Sequence, residues 1–114
     1  MEFKEDISER LVPVSKKTLP NPSECDILRV NGESMSPDIE HSDLVVIRRE
    51  LDWNVCNNRI VAVRTSDGLT LKKLAYDERK RTAMLIASNK RFSPIVADKS
   101  CVLCGYLILL IRHF

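Results

Sequence analysis

The sequence predicts a mostly β fold, either a small sandwich or a partly closed barrel, with an extended arm at its N-terminus. Short runs of β-branched and apolar residues recur at fairly even spacing from residue 25 onward. Turn-forming residues separate these runs, and no segment shows a long helical period. We therefore expect residues 1–24 to form the arm and residues 25–114 to form one β domain.

The arm carries two conflicting signals. Phe3, Ile7 and Leu11 are spaced by four residues, which fits one or two short amphipathic turns. Prolines at positions 13, 20 and 22 then interrupt regular structure. The segment is therefore predicted to be an extended arm and not a core element.

The runs that follow the arm are predicted strands, and the last is the longest. They cover residues 25–30, 44–47, 59–63, 69–74, 84–87 and 102–111. An Asp-Gly pair at 67–68 lies between two of them, which is a strong hairpin signal. The basic triplet at 79–81 lies beside Asp77 and Glu78, so we interpret it as a solvated turn and not a binding patch.

Length and charge exclude several functional classes. The chain has 114 residues, enough for one domain, and its net charge is only +2. That charge excludes a strongly basic nucleic-acid clamp, and an aromatic content of 5% disfavours a base-stacking platform. The start of the chain is charged, and the longest apolar run, 106–111, falls far short of the ~20 residues of a membrane span. We expect a cytoplasmic protein that does not bind a membrane.

The four cysteines are predicted to be reduced core residues, because disulfides are rare in the cytosol. Cys101 and Cys104 form a lone C-x-x-C in an apolar stretch, and strand residues three apart point to opposite faces. A zinc site would need a second pair or nearby histidines. We therefore expect neither a metal nor a cofactor.

A candidate nucleophile lies in residues 32–37, which read GESMSP. Ser34 directly follows a predicted strand in a glycine-containing turn, and such a turn can hold a hydroxyl exposed and aim backbone N–H groups at one point. Pro37 biases the residue before it toward an extended or turn conformation. The alternative is an ordinary polar turn, which the turn composition taken alone favours.

A serine nucleophile needs a base, and the histidines are poorly placed for that role. His41 lies in a polar loop and His113 is the penultimate residue. The other candidates are Lys72 and Lys73, within an otherwise mainly apolar strand. A lysine acts as base only when neutral, so its pKa must fall from about 10.4 to roughly 7–8, which desolvation can achieve. Both lysines could instead lie on the surface of an edge strand, and alternation alone does not say which of them points inward.

Four stretches carry a family resemblance. Residues 30–37, VNGESMSP, resemble the nucleophile motif of the LexA-like self-cleaving serine peptidases. SDLVV at 42–46, TLKKL at 70–74 and SNKRFSPI at 88–95 are similar to further motifs of that family and follow in the family's order. Gly105 matches a glycine in the last long strand, and the resemblance covers about residues 25–112.

The resemblance implies a role for each matched residue. Ser34 would be the nucleophile, Lys72 the general base and Lys73 an outward-facing neighbour. Backbone N–H groups at Ser34 and its neighbours, Glu33 and Met35, would form the oxyanion hole. The resemblance also implies structural supports: Asn89, Phe92 and Pro94.

The chain departs from the family pattern at three turn positions. Glu33 replaces the commoner Asp, Ser42 replaces a turn glycine, and Asn57-Asn58 replaces an Asn-Gly type of turn. The last change is mild because asparagine tolerates positive φ. None of these changes removes a group to which the resemblance gives a catalytic role.

The family cleaves its own chain at an Ala-Gly or Cys-Gly bond upstream of the serine, and the leader here holds no glycine. Cys104-Gly105 is a Cys-Gly pair, but it lies in the predicted terminal strand and is interpreted as core. We therefore expect the sequence to correspond to the catalytic fragment of a longer parent that carries an N-terminal DNA-binding domain.

The leading hypothesis is the peptidase and dimerisation domain of a LexA-like or phage-type repressor. The resemblance implies a homodimer, its own N-terminal segment as substrate, stimulation by activated RecA filaments in the SOS response, and DNA contact only through the missing domain. A UmuD-like accessory subunit of a translesion DNA polymerase is the alternative. A signal peptidase would need a membrane anchor, and the longest apolar run is too short for one, so this alternative is disfavoured. The retained Ser34 and Lys72 argue against a degenerate domain that only dimerises.

Overall fold

A computed structural model of the chain describes residues 7–9, for their backbone, and residues 24–112. The described residues form eight β-strands and contain no α-helix. The strands are β1 Ile7–Glu9, β2 Cys25–Val30, β3 Leu44–Arg49, β4 Ile60–Thr65, β5 Gly68–Asp77, β6 Thr82–Ile86, β7 Ile95–Val96 and β8 Val102–Ile111. The predicted mostly β class is confirmed.

All eight strands belong to one antiparallel sheet with the order β1-β2-β3-β8-β4-β5-β6-β7. The last strand, β8, inserts between β3 and β4 and so joins the two halves of the sheet. The first strand, β1, pairs with β2 and also comes close to β5, although four strands lie between β1 and β5 in the sheet. The sheet is therefore curled, as in a partly closed barrel, and the described strands do not divide into the two sheets of a sandwich.

The core lies on both faces of the sheet. Alternate residues of β4 face opposite ways, so Ala62 packs in one apolar cluster while Val61 and Val63 pack in the other. The first cluster includes Met35 and Ile39, which come from the loop between β2 and β3. The loop after β2 therefore contributes two side chains to the core, although other residues of the loop are exposed.

The strand predictions were close, and the differences have local causes. The run at 25–30 matches β2 and the run at 102–111 matches β8, while β5 extends three residues beyond the predicted end at 74. The two-residue strand β7 was missed because it pairs only at Met84 and Leu85 and has no alternating pattern of its own.

In the arm, residues 7–9 form a strand and not a helical turn, because pairing with β2 supplies their hydrogen bonds. Most of the predicted arm lies outside the described residues, so the domain boundary at residue 24 stays a prediction.

The predicted turns have distinct geometries. Thr65 pairs with Gly68, so the hairpin loop is Ser66-Asp67, and Gly68, at φ 124°, begins the next strand. The basic triplet at 79–81 is exposed in the β5–β6 turn, where Asp77 Oδ1 accepts hydrogen bonds from two backbone N–H groups. That placement is the solvated turn that the sequence predicted.

Two positions where the family pattern has glycine adopt positive φ in this chain. Ser42 has φ 75° and Asn58 has φ 65°. A left-handed conformation costs an ordinary L-residue roughly 1–2 kcal/mol, while asparagine pays less than serine. The backbone therefore retains a glycine-type turn at residue 42 although the side chain has changed.

Replacing Ser42 with glycine is expected to raise the free energy of unfolding by about 0.5–1 kcal/mol, because relief of strain exceeds the added chain entropy. Asn58→Gly should give a smaller gain. Ser66→Gly is the matched control, since Ser66 is a turn serine without positive φ, and it should be neutral or destabilising. Urea unfolding of the three variants would measure the differences, and equal effects of Ser42→Gly and Ser66→Gly would contradict the prediction.

Candidate active site

The loop between β2 and β3, residues 31–42, carries the candidate nucleophile and is called the nucleophile loop below. Its two ends are joined by backbone hydrogen bonds: Val30 N–H donates to Asp43 O at 2.8 Å, and Ser42 N–H donates to Val30 O at 2.9 Å. The loop therefore leaves and re-enters the sheet at one point. Its position is fixed by the ends of two central strands.

Inside this loop the chain turns tightly around Ser34. Ser36 N–H donates to Glu33 O at 3.0 Å, and Ile39 N–H donates to Met35 O at 2.8 Å. Met35 and Ile39 are each 2% exposed and pack in the core, so the apolar side chains beside the serine hold the turn against the sheet. Glu33 is exposed, which agrees with its replacement of Asp having little structural effect.

Lys72 lies on β5, and burial on that strand distinguishes the two neighbouring lysines. Lys72 is 3% exposed, whereas Lys73 is exposed to solvent. Leu71 and Leu74 are also buried, so β5 passes through the interior at this point. The sequence could not make this choice from spacing, and the register of β5 between β4 and β6 does.

The two candidates meet directly. Lys72 Nζ lies 2.9 Å from Ser34 Oγ, although the residues are 38 positions apart in the chain. Nζ is also 2.7 Å from Thr70 Oγ1 and 3.0 Å from Leu71 O. These three oxygen atoms belong to neutral groups, and burial penalises the charged form of an amine. The arrangement can take a proton from a serine hydroxyl once the amine is neutral.

Sequence reasoning gave Thr70 no role, yet its hydroxyl contacts the amine of Lys72. The signal was available, because residues two apart on a strand share a face. A turn of this kind can hold a hydroxyl exposed, but Ser34 is only 3% exposed. The hydroxyl is buried because the turn packs down onto β5.

A second segment supports the nucleophile loop from outside. Asn89 N–H donates to Ser34 O at 2.9 Å, and the Asn89 side chain donates to Glu33 O at 3.1 Å. Ser88 N–H also approaches the sulfur of Met35 at 3.4 Å. Asn89 therefore occupies the supporting position that the family resemblance implies. Phe92 N–H donates to Asn89 O at 3.1 Å, and Pro94 is exposed at the surface just before β7.

The other sequence candidates lie away from this contact. His41 is exposed in the nucleophile loop, and His113 lies outside the described residues. Burial raises the pKa of the Cys56 thiol to about 11. Cys101 and Cys104 pack against opposite apolar clusters, as expected from their spacing.

Within the described part of the chain, no group of three or more His, Cys, Asp or Glu side chains is arranged to hold a metal ion. Across the same residues, no helix has the length and apolar character needed to cross a membrane.

The comparison with known families agrees with this geometry. A family model described as Peptidase S24-like matches residues 1–108, which include Ser34, Lys72 and both segments around them. The chain belongs to the Peptidase S24-like family. All four motif stretches that resemble LexA-like serine peptidases lie within the residues that this family model matches.

Relatives of this Peptidase S24-like chain include several LexA repressors. The chain is 42% identical to the LexA repressor of Vibrio campbellii over 74 residues, which are 63% of this chain and 34% of that protein. It is 38% identical to the LexA repressor of Photobacterium profundum over 73 residues, 63% of this chain and 36% of the relative. The match to the LexA repressor of Pectobacterium carotovorum is 38% over 78 residues, 68% of this chain and 37% of the relative. The match thus spans about a third of the length of these relatives.

Proposed function

We propose that this chain is the catalytic and dimerisation domain of a LexA-like repressor that cleaves its own polypeptide with a Ser34–Lys72 dyad. The observation that carries the proposal is the 2.9 Å contact between Lys72 Nζ and Ser34 Oγ, both on buried residues. A serine nucleophile that lysine activates requires direct contact between the hydroxyl and the amine. Here both groups are buried, and a well-fixed turn holds the hydroxyl in place.

The reaction follows from the proposed roles. Neutral Lys72 accepts the proton of Ser34 Oγ while that oxygen attacks the carbonyl carbon of the scissile peptide. Backbone N–H groups of the turn at Glu33, Ser34 and Met35 are the candidates to stabilise the oxyanion that forms. Protonated Lys72 then gives its proton to the departing amine, and water, activated by the neutral lysine, hydrolyses the acyl-serine to release the carboxylate.

The wider biology is proposed from the relatives. We infer a homodimeric, cytoplasmic repressor whose substrate is its own N-terminal segment, whose DNA contacts reside in a separate domain, and whose cleavage is stimulated by activated RecA filaments. The matched LexA repressors are about three times as long as the segment that they share with this chain, which leaves room for such a domain in them. A UmuD-like polymerase accessory would use the same dyad, and a neighbouring polymerase gene would favour it.

Cleavage in trans tests the proposed chemistry. The 114-residue protein is incubated with a synthetic leader peptide that contains Ala-Gly, and the products are identified by mass spectrometry. We expect one cut at the Ala-Gly bond with the wild type and none with Ser34→Ala, because the attacking oxygen is then absent. Ser66→Ala, in a hairpin loop on β4–β5, is the control that should cleave normally. Undiminished cleavage by Ser34→Ala would contradict the proposal.

A further inference from the structure

An ion pair between a buried carboxylate and a partly exposed guanidinium closes the base of the nucleophile loop. Asp43, the residue before β3, is 3% exposed. Arg112, the residue after β8, donates two hydrogen bonds to the Asp43 carboxylate: Nε donates to Oδ1 at 2.9 Å and Nη2 donates to Oδ2 at 2.7 Å. Such a two-bonded fork fixes orientation as well as distance. The end of β8 is therefore fastened to the start of β3.

The same carboxylate reaches into the loop. Oδ2 of Asp43 also accepts a hydrogen bond from Glu40 N–H at 2.7 Å. The Glu40 carboxylate in turn accepts from Ser36 Oγ at 3.1 Å, and Ser36 lies two residues after the nucleophile. A continuous set of polar contacts thus runs from Arg112 through Asp43 and Glu40 to the turn that holds Ser34.

The contribution of this ion pair to the stability of the fold does not by itself explain its presence. Burying the Asp43 carboxylate loses hydration, and solvent screens its attraction to the Arg112 guanidinium, which is 34% exposed, so the pair adds little net stability. The hydrogen bonds from Arg112, with that from Glu40 N–H, hold the pKa of Asp43 below its ordinary value, so the carboxylate stays ionised at neutral and alkaline pH. What the pair does supply is a fixed geometry at the base of the loop.

We propose that the Asp43–Arg112 pair is a positioning device for catalysis, which holds the nucleophile loop in the position where Ser34 Oγ contacts Lys72 Nζ. The inference rests on the proposed function. Neither residue is catalytic, since both act through Glu40 and the loop backbone. A displacement of about 1 Å in a reacting group can reduce a rate on the order of 10²-fold. Loss of the pair is therefore expected to reduce kcat by about 10- to 100-fold.

The sheet contains a matched control for this test. Arg49 grips Asp26 with the same kind of fork, at 2.8 and 3.0 Å, but at the opposite end of β2 and β3 from the nucleophile loop. We expect Arg112→Gln to lower kcat for the Ala-Gly peptide by about 10- to 100-fold with KM changed less than about twofold. Arg49→Gln should change neither constant by more than about twofold. Arg112→Lys retains the charge and one hydrogen bond, so it should recover part of kcat.

Assays are run at a temperature where circular dichroism shows every variant folded. Should Arg112→Gln fail to fold, Arg112→Lys and Asp43→Asn take its place. A kcat of the Arg112 variant equal to that of Arg49→Gln would overturn the inference.

A second readout separates failure of the inference from failure of the proposed function. A wild type that leaves the peptide intact contradicts the proposed function. The amide resonances of Ser34, Met35 and Ser36 can still be followed by NMR. We expect them to shift in Arg112→Gln and to stay in place in Arg49→Gln, and unchanged resonances in both variants would overturn the positioning role without reference to activity.

Discussion

Replacing Lys72 with alanine is expected to reduce cleavage of an Ala-Gly peptide by about 10³-fold, since a positioned general base contributes roughly 10²–10⁴-fold to such a reaction. Nζ is the atom that contacts Ser34 Oγ, and its removal leaves the hydroxyl without the proposed general base. Lys72→Met is the companion variant, because methionine fills most of the buried space and keeps the packing of β5. Both variants should lose activity while circular dichroism shows a folded protein.

Lys73→Ala is the matched control for that loss. Lys73 is the next residue on the same strand and carries the same charge, but it is exposed on the other side of β5. It should retain the wild-type rate within about twofold, since an exposed lysine makes little difference to a buried site. Equal losses in the Lys72 and Lys73 variants would refute the assignment of the base.

The dependence on pH gives an independent check of the same assignment. Only the neutral amine can accept a proton, so the wild-type rate should rise about tenfold per pH unit until Lys72 is fully deprotonated, and then level off. A rate that falls toward alkaline pH would be incompatible with a lysine base. The measurement is kcat/KM of the peptide between neutral and strongly alkaline pH.

Gly105→Ala is expected to produce the largest loss of stability, about 3 kcal/mol, at the upper end of what overpacking costs. A Cβ at this position would lie 2.0 Å from the carbonyl oxygen of Arg48 and 2.9 Å from Cγ2 of Ile47. The first of these atoms belongs to the backbone of β3, which cannot rotate away. The β3–β8 pairing, which connects the two halves of the sheet, must therefore shift.

Val102→Ala is the control for the glycine prediction, because Val102 lies on the same strand and is 54% exposed. Its free energy of unfolding should change by less than about 0.5 kcal/mol. Urea denaturation with a constant m-value would measure both variants. A Gly105→Ala protein as stable as the Val102→Ala protein would show that β3 and β8 can separate without cost.

The role of Gly105 also shows how far local sequence reasoning reaches. Its place in the last strand was predictable, and so was the interpretation of Cys104-Gly105 as core. The reason for a glycine was not predictable, because it depends on how closely β3 approaches β8, and those strands lie more than fifty residues apart in the chain.

Asp43 and Arg112 illustrate the same limit. Asp43 was noticed as part of a motif, but Arg112 lies 69 residues away and gave no signal in the sequence. Their pairing exists because β8 is inserted beside β3, which brings the end of one strand to the start of the other. Short motifs report residues that fold together locally, and they do not report which distant strand completes the site.

The sequence by itself determined the β class, most of the strands and the turn that carries the candidate nucleophile, because alternation, turn residues and short motifs are local properties. Spacing narrowed the candidate base to two adjacent lysines, and the family resemblance implied that Lys72 is the one. Only the tertiary structure shows that Lys72 Nζ contacts Ser34 Oγ and Thr70 Oγ1. It also shows that Arg112 binds Asp43 at the base of the loop. The physical reason is register: one residue of slip on β5 would turn Lys73 inward, and pairing with β4 and β6 sets that register.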